Sequence, residues 1–225
     1  MRTKTDIRFS IERKYYESIA KLPWNYPISE WEAIGVSLLK LKCGTSRHIV
    51  IFVKSNGFEF AVKEISPHIA KREIANYEEI LKRGVHTLLP IGYVIREDDP
   101  IEIITPAGKQ YEKNEVAHTI TLLANRVLPD STLFGRKFQD ENRFKILDAI
   151  AELFADMHSN NIYWGDASLA NMLIRFDKEE LPSGKKITKL RAILADAETV
   201  EIFEHISDSM RNADIDFFLE SMEWI

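Results

Sequence analysis

The spacing of apolar positions divides the chain into segments of two different periods. Ile7, Ile11, Tyr15, Ser18 and Ile19 recur at helical spacing with charged residues between them, which predicts a helix over 7–21. Pro23 and Pro27 end that pattern, and Leu22-Pro23-Trp24-Asn25-Tyr26-Pro27 reads as a packed, extended segment. A helical turn at Ser29-Glu30-Trp31-Glu32 leads into three closely spaced strand patterns, over 36–41, 48–54 and 58–65. Asn56-Gly57 between the second and third is a strong two-residue hairpin signal.

Alternation along the third strand puts Ala61, Lys63 and Ile65 on one face and Phe60, Val62 and Glu64 on the other. A lysine among small and apolar neighbours is costly to bury without an anionic partner. Its ordinary alternative is an exposed edge lysine with its stem along the sheet. The next helix bears on that choice. Ser66-Pro67 supplies a capping side chain and a proline at the first helical position, and Gly84 supplies the stop. Between them Ile69, Ala70, Ile74, Tyr77, Ile80 and Leu81 form one apolar stripe. Glu73 falls inside the stripe, whereas Lys71, Arg72, Glu78, Glu79 and Lys82 fall outside it. The phase therefore aims one carboxylate at the sheet that carries Lys63, and it predicts that the two are paired.

Further along, 88–96 and 102–105 read as strands, with Asp98-Asp99-Pro100 as a turn between them. Residues 106–115 read as an exposed loop and 116–128 as another apolar strand. The clearest amphipathic helix spans 140–158, with Phe144, Leu147, Ile150, Ala151, Phe154 and Met157 as its expected buried face. His158 at its end is expected to pack beneath a loop. Two apolar runs then flank Asp177 to Lys189, a lysine- and glutamate-rich stretch expected to be a solvated insertion. The last segment, 210–225, reads as a buried helix bearing Asp214 and Asp216.

Composition narrows the function classes. A chain of 225 residues with 45% apolar and 29% charged side chains can bury a full core as one domain or two small lobes. Its net charge of −5 carries no basic signature for nucleic acid. No apolar run approaches the roughly 18 residues of a membrane span. The first residues are not followed by an apolar secretory segment, and Cys43 is the single cysteine, so a reducing cytoplasm is the expected location.

The chemistry concentrates in Tyr163-Trp164-Gly165-Asp166-Ala167-Ser168-Leu169-Ala170-Asn171-Met172-Leu173. An aspartate five residues before an asparagine, on a loop between a helix and an apolar run, can face one small volume. That pair suits a carboxylate acting on a hydroxyl proton and an amide oxygen on a hard cation. A second apolar run ends in Ile193-Leu194-Ala195-Asp196-Ala197-Glu198. If the two runs form a hairpin, Asp196 returns beside Asn171. Trp164 reads as a packing residue that props the loop.

This pattern, D-x-x-x-x-N followed by an aspartate in the place of D-F-G, resembles the protein-kinase-like superfamily. Leu22-Pro23-Trp24, Gly44-Thr45-Ser46-Arg47-His48, the loop from Trp164 to Asn171 and Asp196-Ala197-Glu198-Thr199 extend the resemblance. With them the chain is similar, over about residues 22–216, to a little-studied bacterial family akin to lipopolysaccharide, RIO-type and aminoglycoside kinases. The resemblance implies an α+β, two-lobed protein-kinase-like fold with an antiparallel-sheet N-lobe carrying one helix and a short helical C-lobe. It divides the chain into a helical extension with its extended lead-in (1–34), an N-lobe (35–126) and a C-lobe (127–225).

The resemblance also implies roles. Asp166 is the catalytic base, and Asn171 and Asp196 are the Mg²⁺ ligands. Lys63 holds the α- and β-phosphates of ATP, and Glu73 orients Lys63. Gly44, Ser46 and Arg47 occupy the phosphate loop. Ala61 and Leu123 belong to the nucleotide site, the latter in the hinge around Leu122 to Arg126, and an aspartate of the last helix hydrogen-bonds the catalytic loop. ATP is expected in a cleft between 35–126 and 127–225. There are departures. The phosphate loop has one glycine instead of three, so the Ser46 hydroxyl or Arg47 guanidinium takes over part of the cradle. Glu198 stands for the last glycine of D-F-G, and no A-P-E segment follows. Three readings stay open: a kinase acting on a sugar, lipopolysaccharide-like or small-molecule hydroxyl; a nucleotide-binding pseudokinase or partner-binding regulator; and nucleotidyl transfer on the same scaffold.

Overall fold

The computed structural model describes residues 6–41, 47–105, 108–125, 127–129, 140–180, 182–184 and 186–222. They form two compact units. Among them the first holds 6–41, 47–74, 90–105 and 108–123; the second holds 75–89, 124–125, 127–129, 140–180, 182–184 and 186–222.

The first unit is built on a five-stranded antiparallel sheet of order β1-β4-β5-β3-β2. Its strands are β1 (Asp6–Ile11), β2 (Val50–Ser55), β3 (Phe58–Ile65), β4 (Pro90–Thr105) and β5 (Gly108–Leu122). The Asn56-Gly57 hairpin forms as expected, joining β2 to β3. The N-terminal helix does not. Residues 6–11 are a strand along β4, and only Tyr16–Ala20 is helical, as α1. Ile7 and Ile11 fit a period of two as well as a helical one. Phe9 between them, with exposed Asp6, Arg8 and Ser10, decides for the strand once a non-local partner edge is present. The strand expected over 36–41 reduces to a single bridge, Leu38 to Val53.

Two other expectations also change. Asp98-Asp99-Pro100 is a register shift inside the continuous strand β4, not a turn. Residues 108–115, expected as a loop, are the outer part of β5 and pair with β4. Polar side chains hid this ladder because its hydrogen bonds are made by the backbone. The strand expected over 116–128 ends at Leu122.

One face of the sheet presents Phe60, Val62, Val94 and Ile120 to a layer made by Tyr15, Ile19, Leu22, Trp24, Ile28 and Trp31. Both indoles of that layer are satisfied: Trp24 Nε1 donates to the Ile19 carbonyl at 2.7 Å, and Trp31 Nε1 to that of Tyr26 at 3.1 Å. The buried His118 ring lies 5.3 Å from the Trp24 ring and 3.4 Å from the Glu64 carboxylate. This contact holds the Glu64 carboxyl below its ordinary range. On the opposite face Ile65, Ile95 and Ala117 pack with Ala70 of α2 (Pro67–Lys82).

The second unit contains β6 (Val127–Pro129), α3 (Asp140–Ser159), β7 (Ile162–Tyr163), β8 (Met172–Glu180), β9 (Lys186–Leu194), β10 (Glu201–Ile202) and α4 (Asp208–Met222). β6, β8 and β9 form one antiparallel sheet, and β7 pairs with β10. The buried face of α3 is Ile146, Ala149, Ile150, Leu153, Phe154 and Met157. Phe144 is 66% exposed and Ala151 is exposed, so the expected face is rotated by about one residue. α4 is less buried than expected: Phe218 packs edge-on to Phe154 at 5.7 Å, whereas Ile215, Phe217 and Leu219 are exposed. The solvated stretch 177–189 is a hairpin extension, with Arg191 bridging Asp177 at 3.0 Å and Glu179 at 2.6 Å. No helix among the described residues is long and apolar enough to cross a membrane.

Gly92 sits on β4 opposite Ile11 with φ +134°, and a Cβ there would lie 2.0 Å from the Ser10 carbonyl oxygen. That oxygen is backbone in a paired strand, so Gly92→Ala is expected to force β1 away. The expected cost is roughly 2 kcal/mol or more, read as a fall of about 4–8 °C in Tm. An unchanged Tm contradicts the contact.

His86 lies beside Arg191, with Nη1 3.4 Å from Nε2. Burial, and then the Arg191 charge, push its pKa below the ordinary 6.5. The unfolded chain therefore takes up this proton more readily. The stability gained by keeping His86 neutral is present above about pH 6.5 and is lost as the pH falls through the lowered folded value. Urea melts of His86→Gln are expected to lose less stability than wild type between about pH 7 and 5. Parallel curves would remove His86 as a cause.

Candidate active site

In the first unit, the β3 alternation and the α2 phase meet at one carboxylate. Ala70 and Ile74 turn one side of α2 inward, and Glu73 follows them to 1% exposure. Lys63 Nζ donates to Glu73 Oε1 at 3.0 Å, with the two side chains 13% and 2% exposed. The Thr119 hydroxyl donates to Oε2, also at 3.0 Å. Thr119 is the residue opposite Lys63 in the β3–β5 ladder, so adjacent strands deliver the two donors. A buried ion pair persists only when its remaining lone pairs are met, and Thr119 meets one of them.

The sequence reading missed Thr119. Its signal is a hydroxyl at an inward position of β5, between Ala117 and Thr121. Ala61 is half-buried opposite Thr121. Leu123 is half-buried just after β5, and its N–H donates to the Glu59 carbonyl at 2.9 Å. Arg47 is exposed in a bend before β2. Gly44 and Ser46 lie outside the described residues.

In the second unit, the end of α3 and β7 deliver the loop that carries Asp166. Trp164 is fully buried, and its Nε1 donates to the Asp196 carbonyl at 2.8 Å. The Trp164 and Gly165 backbone N–H groups donate to the Asp214 carboxylate at 3.0 and 2.9 Å. Of Asp214 and Asp216, Asp214 thus holds the loop, whereas Asp216 is exposed. His158 Nε2 lies 3.1 Å from Asp214 Oδ2, which ties the histidine beneath the loop as expected. Gly165 has φ +77°, where side chains are disfavoured, and a Cβ would approach the Thr199 carbonyl at 3.3 Å. The Thr199 hydroxyl closes the turn by donating to the Trp164 carbonyl at 2.8 Å.

This frame brings Asp166, Asn171 and Asp196 together. Asn171 Nδ2 donates to the Asp166 carbonyl at 3.0 Å. The Ala195 N–H donates to the Asn171 carbonyl at 2.9 Å, continuing the β8–β9 ladder past Met172 and Leu194. Asp196 Oδ1 accepts the Glu198 N–H at 3.0 Å. All three side chains are half-buried. Two residues that the sequence reading did not single out for chemistry also serve this loop. Asn76 Nδ2 donates to the Ala197 and Val200 carbonyls at 2.8 and 2.9 Å, and the Tyr77 hydroxyl donates to the Ala195 carbonyl at 2.8 Å.

The donor set is all oxygen, one amide and carboxylates, which suits Mg²⁺ rather than a soft metal. Among the described residues no three His, Cys, Asp or Glu side chains gather to hold an ion. A set of one or two protein oxygens is what Mg²⁺ uses when substrate phosphates and water complete its shell. Asn171 and Asp196 fit such an ion.

Neither a family profile nor a curated protein sequence matches the chain. Solved structures do. The structure of WaaP in complex with acyl carrier protein aligns with 96% of this chain and 80% of its own, at 15% identity and a TM-score of 0.57. The Rio2 kinase of Chaetomium thermophilum aligns with 87% of this chain and 59% of its own, at 14% identity and a TM-score of 0.51. Its ADP/Mg²⁺-phosphoaspartate complex aligns with 84% and 56%, at 14% and 0.50. At this identity the likeness is one of fold: the chain has an α+β, protein-kinase-like fold.

Asp214 is 1% exposed and meets two loop N–H groups, so Asp214→Ala leaves both donors without their acceptor. The expected loss is about 2–4 kcal/mol in urea unfolding. A loss of less than about 0.5 kcal/mol contradicts the anchoring role.

Proposed function

We propose that this protein is a Mg²⁺- and ATP-dependent phosphotransferase that moves the γ-phosphoryl group to a hydroxyl acceptor. The observation that supports it most is the buried Lys63–Glu73 pair, a cation held on a sheet by a carboxylate with 1% exposure. A core gains little from such a pair, because hydrophobic residues of similar volume are often as stable or more so. A lysine kept oriented for anionic phosphates gives it a purpose.

In this reading residues of 35–126 hold the nucleotide, and residues of 127–225 carry the chemistry. Ala61 and Leu123 contact the adenine side, and Lys63 holds the α- and β-phosphates. Arg47, with Gly44 and Ser46, covers the phosphates. Asn171 and Asp196 would hold Mg²⁺, which when bound neutralises charge on the β- and γ-phosphates. Asp166 receives the acceptor's proton as its oxygen bonds to phosphorus, while the bond between the γ-phosphorus and the bridging oxygen breaks and ADP leaves. The acceptor class that fits the fold likeness is a sugar, lipopolysaccharide-like or small-molecule hydroxyl. A cytoplasmic location accords with ATP as donor.

The test begins with thermal shifts for ATP, ADP and GTP with and without Mg²⁺, where a ligand raises Tm by mass action. A Mg²⁺-dependent rise with an adenine nucleotide is expected. Turnover is then followed as slow ATP hydrolysis or autophosphorylation. Asp166→Asn is expected to lower it by ~10²–10⁴ while leaving Mg²⁺·ATP affinity nearly unchanged. Asp196→Asn is expected to weaken that affinity as well. Nucleotide binding without wild-type turnover supports a pseudokinase instead, and full turnover in Asp166→Asn rejects its role as base.

A further inference from the structure

We propose that Asn76 and Tyr77 are positioning residues for Asp196, holding its loop in a single conformation ready for the cation. The inference rests on the proposed role of Asp196 as a metal ligand and assigns the residues that make that role possible.

The argument starts from the backbone. A loop that ends a strand leaves carbonyls without ladder partners, and each must find a donor or remain in water. Between Ala195 and Val200 four carbonyls are met by side chains. Tyr77 takes Ala195, Trp164 takes Asp196, and Asn76 takes both Ala197 and Val200. Of the two ends of the Asn76 amide only the NH₂ can donate to two carbonyl oxygens, so its orientation is fixed by its partners. Both hydrogens of that group are used, and aspartate in its place would set acceptors against acceptors. Asp196 completes the set from within by accepting the Glu198 N–H. Asp196 therefore sits in a turn fixed on both sides.

The consequence concerns the cation. Outer groups that orient a metal ligand tune its affinity, typically by ~10–100-fold when they are removed. A carboxylate whose loop samples several conformations binds less tightly, because only the competent fraction counts. Asn76 and Tyr77 touch neither the acceptor nor the reacting atoms in this scheme, so they act only through Asp196. Conversion of Asp196 between an engaged and a disengaged position would require four carbonyl hydrogen bonds to break at once.

The test uses the full chain, with ADP as probe and Mg²⁺ titrated, and reads the nucleotide-induced rise in Tm. Asn76→Leu, Tyr77→Phe and Asp196→Asn are compared with wild type. The Mg²⁺ concentration for half-maximal effect is expected to rise roughly tenfold or more in Asn76→Leu, and less in Tyr77→Phe, which removes the donor to the Ala195 carbonyl. ADP affinity in EDTA is expected to stay at the wild-type value. Amide exchange of the ligand-free protein is expected to quicken over residues 195–200. Tyr77→Phe keeps the ring, so it and the exchange measurement decide the matter if Asn76→Leu fails to fold. A shifted Mg²⁺ dependence in Asp196→Asn with none in Asn76→Leu or Tyr77→Phe overturns this inference alone. An unshifted Asp196→Asn overturns it together with the metal role of Asp196.

Discussion

A carboxylate carried on the apolar side of a helix has to be met by donors, and Glu73 meets that requirement inside the first unit. One oxygen takes the Lys63 ammonium and the other takes the Thr119 hydroxyl. Because Lys63 and Thr119 face each other across adjacent strands, the contact exists only when β3, β5 and α2 are in register together. Sliding β3 by one residue would turn Lys63 to the opposite face. The pair therefore reports the assembly of the sheet and helix as a whole, which local propensity cannot do.

The second unit obeys the same rule, with backbone groups in place of the carboxylate. A tight turn at Trp164-Gly165 exposes two N–H groups, and the buried Asp214 accepts both. The 195–200 loop exposes carbonyls, and Tyr77, Trp164 and Asn76 donate to them. The leaving of β9 is fixed as well: the Leu194 N–H donates to the His86 carbonyl at 3.1 Å, and the Thr87 hydroxyl donates to the Leu194 carbonyl at 2.7 Å. Irregular backbone can be this ordered only because side chains from α2, α4 and the loop itself complete its hydrogen bonding.

The N-terminal residues show how one segment can serve a sheet twice. Residues 6–11 lengthen the sheet as its edge strand, and the aromatic stretch that follows covers one of its faces. Trp24 and Trp31 meet edge to face at 5.0 Å and donate their indole N–H groups locally, so two large rings are buried without an unmet donor. The covered face also holds His118 and Glu64, polar residues that would stand in water on a bare sheet.

The sequence by itself determined the local pieces. The Asn56-Gly57 hairpin, the α2 boundaries, the inward phase of Glu73 and the return of Asp196 beside Asn171 each follow from turn chemistry or periodicity within a few dozen residues. Tertiary structure decided what those signals leave degenerate. Ile7 and Ile11 suit two periods, and only the β4 edge selects the strand. The polar residues 108–115 form a strand because their partner is backbone. The α3 face turned by about a residue because Ile146, Ala149 and Leu153 found the core and Phe144 did not. Thr119, Asn76 and Tyr77 carry no motif. They became visible only when folding set a carboxylate or a carbonyl in front of them, since a hydrogen-bond donor is defined by its acceptor and that acceptor lies 46 to 124 residues away.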